Sequence, residues 1–205
     1  MESKSPTEKK IVQTALKMFN ETGIEYVGMR ELAAALEMRV GNLTYYFPTK
    51  DDLVNRLSLD LAEENNKTIV SLESMNIKAF FEMLRQVFRN HVKYRCLMLS
   101  FVHIMERNPI VAKRYGKVQS ARNQTWSNNI QALREGKYIS ADAKEVDFLV
   151  STIALIARFW ISEAAVSFKN LSEDQQLQHY TRMIARIFLP FATGKGKRDL
   201  EELLN

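Results

Sequence analysis

Apolar residues along this chain recur every three or four positions almost from end to end, the spacing of a buried helical face rather than the alternation of a strand. The first run opens at Ser5-Pro6-Thr7-Glu8, which reads as a capping box with proline at the first helical position. Ile11, Val12, Ala15, Leu16 and Phe19 mark its inward face, and Gly23 supplies a C-terminal stop. A second, short helix is expected from Met29 to Leu36, with Leu32, Ala33 and Leu36 inward, Gly28 as N-cap, and Glu31 as the third residue of a capping box that lacks its Ser or Thr. Residues 38–50, MRVGNLTYYFPTK, are weakly helical by propensity, yet they lie between strongly helical segments and predict a third helix over about 40–47 that Pro48 ends. Thr49 with Asp52 caps a fourth helix carrying Leu53, Leu57 and Leu61, expected to run towards Leu72 and to break at the Ser74-Met75-Asn76 turn.

The remainder predicts further helices over 77–94, 97–107, 110–135, 142–169 and 173–192, separated at Asn108-Pro109, Gly136 and Leu171-Ser172-Glu173. The last segment, GKGKRDLEELLN, reads as a frayed tail. Strand patterns, internal repeats and low-complexity segments are missing from the sequence, so the fold class is all-α.

The third helix has an unusual outward face. At 100° per residue Val40, Leu43 and Phe47 share the inward side, with Thr44 at its edge. Gly41, Asn42, Tyr45 and Tyr46 then point away, and Arg39 stands at the N-terminal end. Arg and Asn match the major-groove edges of guanine and adenine, and Tyr hydroxyls bond phosphate oxygens. Plain packing fits this face as well, with Gly41 in the turn and the tyrosines covering a seam between helices. Lys50 tips the balance, because the start of a helix disfavours a cation unless an anion is bound there too.

Composition narrows the classes. The 205 residues suffice for one or two domains with a real core, and Leu, Ala, Met, Lys and Glu outweigh Gly and Pro. One cysteine, Cys96, excludes an internal disulfide framework and fits a reduced cytoplasmic setting. The longest apolar run, FLVSTIALIARFWI (148–161), is interrupted by Ser151, Thr152 and Arg158 and reads as a buried helix, so no membrane partner is expected. The N-terminus lacks the apolar stretch of a signal peptide. The net charge of +5 is uneven: residues 1–60 hold eight Lys/Arg against nine Asp/Glu, whereas residues 76–140 hold twelve against three. Bulk charge thus points away from the third helix, and only geometry favours it.

The string KKIVQTALKMFNETGIEYVGMRELAAALEMRVGNLTYYFPTKDDL resembles the TetR family of bacterial transcription regulators. Its ALKMFNETGIEYVGMRELA portion is similar to the first helix, the glycine turn and the start of a helix-turn-helix; VGNLTYYFPTKDDL is similar to the recognition helix and the entry to helix four. The resemblance implies a helix-turn-helix DNA-binding domain over 1–50, a larger helical effector-binding and dimerisation domain over 51–193, and a tail over 194–205. It places Arg30, Arg39, Val40, Gly41, Asn42, Thr44, Tyr45 and Tyr46 at DNA and makes Lys50 a phosphate clamp. Four positions depart from the family pattern: Gly28 for a Thr cap, Glu37 where a turn glycine is common, Arg39 for a small polar cap, and Thr44 for a frequent tyrosine. Glu37 is therefore expected in a left-handed conformation.

Within the larger domain, Phe80, Met83, Phe88, Met98, Phe101, Met105, Trp126 and Phe159 are candidates to line an apolar effector pocket, with His91, Arg122, Asn129 or Arg158 as polar groups. A Met and Phe stripe is more often plain core. Leu149, Ile153, Ile156, Trp160, Ile184, Ile187 and Phe188 are candidate contacts of a four-helix dimer interface, with single-subunit core as the alternative. The expected partners are double-stranded DNA, a second copy of the chain and an apolar or anionic small molecule, and no cofactor is expected. His91, His103 and His179 are scattered without metal-ligand spacing, and neither a catalytic constellation nor a phosphate-cradling loop is present in the sequence. A helical small-molecule carrier or enzyme without sequence-specific DNA binding is the competing class.

Overall fold

The computed structural model describes residues 5–69 and 71–204; residues 1–4, in the stretch expected to hold no signal peptide, lie outside them. The described residues form eleven α-helices: α1 (Pro6–Thr22), α2 (Met29–Ala35), α3 (Val40–Tyr46), α4 (Lys50–Asn66), α5 (Ile77–Lys93), α6 (Arg95–Leu99), α7 (Phe101–Arg107), α8 (Pro109–Glu135), α9 (Ala143–Ser167), α10 (Glu173–Phe188) and α11 (Gly194–Leu204). Among the described residues there is no strand, only an isolated antiparallel bridge between Ile139 and Ala192. The all-α expectation holds.

The seven helices of eleven residues or more each open on a residue whose side chain accepts a first-turn N–H. These are Ser5 for α1, Thr49 for α4, Asn76 for α5, Asn108 for α8, Asp142 for α9, Ser172 for α10 and Thr193 for α11. Each such cap serves an amide that the helix itself leaves orphaned, contributing about 1 kcal/mol. By contrast α2 opens on Gly28 and α3 on Arg39, neither with a capping side chain.

Packing divides the chain into two compact units, Met1–Glu63 with Lys93–Tyr115, and Glu64–Val92 with Gly116–Asn205. In the first, Ile11, Ala15 and Phe19 of α1, Leu32 and Ala33 of α2, Leu43 of α3, and Leu53 and Leu57 of α4 are all 1% exposed or less, and α2 packs against both α1 and α3. Asn20 fastens α1 to the start of α6, its amide donating to the Lys93 carbonyl at 2.9 Å and its oxygen accepting from Cys96 N–H at 3.0 Å. The Cys96 thiol beside it is buried, which pushes its pKa up to about 12 and leaves it unreactive. Glu37 does take the left-handed conformation, φ 56°, at the turn between α2 and α3.

The second unit closes on an aromatic core. Phe80 lies 5.3–5.6 Å, ring to ring, from Phe81, Trp126 and Phe188, and Phe88 stacks on Trp160 at 5.0 Å. Such pairs add about 0.5–1.5 kcal/mol each beyond area burial.

Three expectations need correction. The fourth helix stops at Asn66 rather than near Leu72, because Asn65 accepts from the Thr68 amide and hydroxyl in place of a continuing turn. The 97–107 helix is two, α6 and α7, with Ser100 out of helical geometry at φ −91°, ψ 17°. The frayed tail is helix α11. Its Leu200 is fully buried, Thr193 N–H donates to the Tyr138 carbonyl, and Lys195 Nζ lies 3.7 Å over the Tyr138 ring. A β-carbon on Gly196 would sit 1.9 Å from the Tyr138 carbonyl oxygen, so only glycine lets α11 approach this closely. Gly196→Ala should therefore cost about 2 kcal/mol or more, read as a lowered midpoint in urea unfolding, whereas Gly194→Ala, in open space, should change little.

Candidate nucleic-acid interface

Helix α3 has seven residues, too few to be stable alone, and Leu43 is its one buried residue, joined by Phe47 immediately after it. These two lie four apart, one helical turn, so the inward stripe is narrower than the sequence suggests. Val40, expected inward, is 38% exposed, since the first turn of the helix extends beyond the contact made by Leu43. The solvent side is as expected: Arg39, Gly41, Asn42 and Tyr45 are exposed, Tyr45 to 83%, and Thr44 and Tyr46 are half-buried. The Tyr45 ring stands edge-on to Tyr46, centroids 5.3 Å apart, and Thr44 donates its hydroxyl back to the Gly41 carbonyl at 3.2 Å. Thr44 thus spends on its own helix the group it would offer a base. Arg30 is exposed on α2.

Lys50 is the first residue of α4, and its ammonium donates to the Ile24 carbonyl at 2.8 Å, with a longer contact to Glu25 O at 3.5 Å. It links α4 to the turn between α1 and α2 across 26 positions of sequence, a bond that no local pattern announces. The first turn of α4 is already served: Asp52 Oδ2 accepts from Thr49 N–H and Oγ1, and Asp52 N–H donates to Thr49 Oγ1. What Lys50 offers an anion is therefore its remaining ammonium donors, not a bare helix end. Asn108 and Arg114 also escaped the sequence reading. Asn108 donates to the Asp51 carbonyl at 3.1 Å, and Arg114 donates to Asn55 Oδ1 and Ser58 Oγ, so the start of α8 holds α4 at a fixed register.

This arrangement of helices is shared with known regulators. Residues 11–57 match the profile described as bacterial regulatory proteins of the tetR family, and residues 61–200 match that described as a TetR bacterial transcriptional repressor. The chain belongs to the TetR family. Ninety-three residues are 28% identical to the Bacillus subtilis protein named "Probable HTH-type transcriptional regulator YttP"; the match covers 45% of each protein, about half the length of that relative. In fold, the chain is similar to a TetR-family transcriptional regulator from Marinobacter aquaeolei VT8, with a TM-score of 0.89, 16% identity and 98% of both chains covered. It is also similar to a gamma-butyrolactone receptor, with a TM-score of 0.68, 14% identity, and 97% and 94% of the two chains covered.

In this TetR-family chain the twelve pocket candidates are shared between the two units. Met98, Phe101 and Met105 belong to the first unit and the other nine to the second. Of those nine, Phe80, Phe88 and Trp126 pack ring against ring as core. Asn129, 1% exposed, donates to Met83 Sδ at 3.5 Å, and its Oδ1 has no partner among the described residues. Arg122 and Phe159 are half-buried. A groove of about 560 Å³ opens instead along α10, lined by Leu171, Gln175, Gln178, His179, Arg182, Met183, Arg186 and Ile187.

The dimer candidates divide as well. Leu149, Ile153, Trp160, Ile184 and Phe188 are at most 1% exposed within one chain and have no surface to give a partner; Ile156 and Ile187 are half-buried. Sequence periodicity found the apolar faces of α9 and α10 but not which side the subunit's own core takes. The apolar residues left outward are Phe148, Leu155 and Val166 of α9 and Met183 of α10. Helix α9 is long and apolar enough to cross a membrane by length and composition, and only 33% of its most apolar stretch is buried, so the expectation of a buried helix holds for one face alone.

His91 is 4% exposed, and its Nδ1 accepts from Trp160 Nε1 at 3.3 Å. Burial first, and the nearby Arg122 second, lower its pKa to about 3. It stays neutral in the fold, while in the unfolded chain it takes up a proton below about pH 6.5, so stability is lost as pH falls from 6.5 towards 3. Urea unfolding at pH 5.5 against pH 7.5 should show about 1 kcal/mol of loss from this residue, absent in His91→Phe, which keeps the ring contact with Phe88 but removes the titrating group.

Proposed function

We propose that this TetR-family protein is a one-component repressor that binds a near-palindromic operator as a homodimer and is released by a small-molecule effector. The observation that carries this reading is α3, which spends one narrow stripe on packing and keeps Arg39, Asn42 and Tyr45 in solvent. A guanidinium, a carboxamide and a phenol are the groups that read base edges and phosphates, and a helix of this width enters the major groove. Val40 and Gly41 bring the backbone close to DNA, Arg30 and Tyr46 flank the contact, and Lys50 adds a cation beside it. Residues 1–50 carry DNA binding, and residues 51–193 carry effector binding and dimerisation.

The apolar residues left outward on α9 and α10 suit a four-helix contact with a second copy, with Ile156 and Ile187 at its margin. Effector binding falls to the second unit, where Asn129 keeps a buried acceptor unused and Arg122 supplies positive charge. An apolar molecule with an anionic or hydrogen-bonding end suits that surrounding. Its binding would favour a state with a different separation of the two α3 helices and so weaken operator binding by population shift. A gamma-butyrolactone receptor shares this fold, which supports a small-molecule effector. The cytoplasm is the compartment where DNA and a reduced Cys96 coexist.

A carrier or enzyme would use the same helical scaffold without sequence-specific DNA binding, and gel-shift titration over the gene's neighbouring promoter DNA separates the two. We expect one tight, sequence-specific complex that weakens steeply with salt; no specific complex on any neighbouring promoter would sink the regulator reading. Lys50→Ala should weaken binding to all sequences alike and flatten the log–log salt slope by about one unit. A change in the preferred base would instead remove Lys50 from the phosphate contacts.

A further inference from the structure

What begins α3 sets it apart from the long helices. Every long helix of the chain opens on a Ser, Thr, Asn or Asp that turns back onto its own first turn. The residue in that place before α3 is Arg39, with extended backbone (φ −70°, ψ 145°) and no side-chain bond to the helix it starts. A short helix with one buried side chain is where a cap would help most, so an arginine there forgoes helix stability. Its side chain is exposed, and no ion pair or hydrogen bond engages it among the described residues. Neighbouring groups are less free: Thr44 is bonded to Gly41 O and Lys50 to Ile24 O.

Three residues on, Asn42 shares the same helical side, is also exposed, and has no side-chain bond among the described residues. Resting on the regulator reading above, we infer that Arg39 is the residue that fixes operator choice, reading a guanine in each half-site, with Asn42 reading an adenine one or two base pairs away. The guanidinium presents two parallel N–H donors that match guanine O6 and N7, and the carboxamide pairs with adenine N6 and N7. Three residues of helix span about 4.5 Å, a little more than the 3.4 Å between successive base pairs of one strand. The two side chains therefore address adjacent or next-but-one positions. Arg39 thus gives this chain a different operator from one with a small capping residue at that place, because a serine there would be occupied with its own helix.

The test is selection of binding sites from a random duplex library by the full-length protein, repeated with Arg39→Ser and Arg39→Lys. Arg39→Ser restores a cap and should fold at least as well as the parent, which a thermal melt checks. The parent should select a palindrome with guanine at one symmetric position and adenine one or two steps from it. Arg39→Ser should lose the preference at the guanine position alone and bind the parent site about 10- to 100-fold more weakly. Arg39→Lys, keeping charge without the planar fork, should also lose much of that preference. Replacing the guanine by 7-deazaguanine should weaken the parent protein and leave Arg39→Ser unchanged. If both variants keep the parent's consensus and lose affinity evenly over all sequences, Arg39 contacts phosphate and the inference is overturned. If the parent enriches no consensus, the regulator reading itself fails and this inference with it.

Discussion

Burial of Leu43 is the contact on which the exposed face of α3 depends. Seven residues with a glycine, no capping side chain and two tyrosines do not form a helix in water, because nucleation outweighs what so few hydrogen bonds return. Leu43 and Phe47 bring that segment onto the core of the first unit, and the helix exists because those two side chains leave water. The exposed residues of α3 are then released from packing duty. Arg39, Asn42 and Tyr45 can be chosen for what they meet outside, which is the arrangement a reader of DNA needs.

The same unit contains several long-range bonds that fix α4, the helix that follows α3. Lys50 bonds the Ile24 carbonyl, Asn108 bonds the Asp51 carbonyl, and Arg114 grips Asn55 and Ser58. Each joins segments distant in sequence, and together they register α4 against α8 and the α1–α2 turn. Glu37, held left-handed at the turn, costs the fold about 1 kcal/mol that glycine would not. The second unit is built differently, around stacked aromatic rings and a neutral buried histidine, and its apolar surface is left over on α9 and α10.

Most of the first unit was legible in sequence because its signals are local. The Ser5 cap, the Gly23 stop, Pro48 and the Thr49–Asp52 box fix helix ends within a few residues, and the structure agrees. Legibility fell where the deciding contact is distant. GKGKRDLEELLN looks like a tail until Gly196 is seen against the Tyr138 carbonyl. Leu149 and Trp160 lie on an apolar helix with two greasy sides, and period alone cannot say which side the subunit's own core takes. Lys50 reads as a phosphate clamp in the sequence, where nothing in its neighbourhood reveals the bond to the Ile24 carbonyl.

Two copies joined through α9 and α10 would present two α3 helices, and the operator must match that geometry. Protection of guanine N7 from methylation, mapped on a selected operator with the full-length protein, tests this most directly. The account predicts two protected clusters in the major groove on one face of the duplex, about 10 base pairs centre to centre, related by the palindrome's axis. A single cluster, or binding that leaves every guanine N7 reactive, would contradict it.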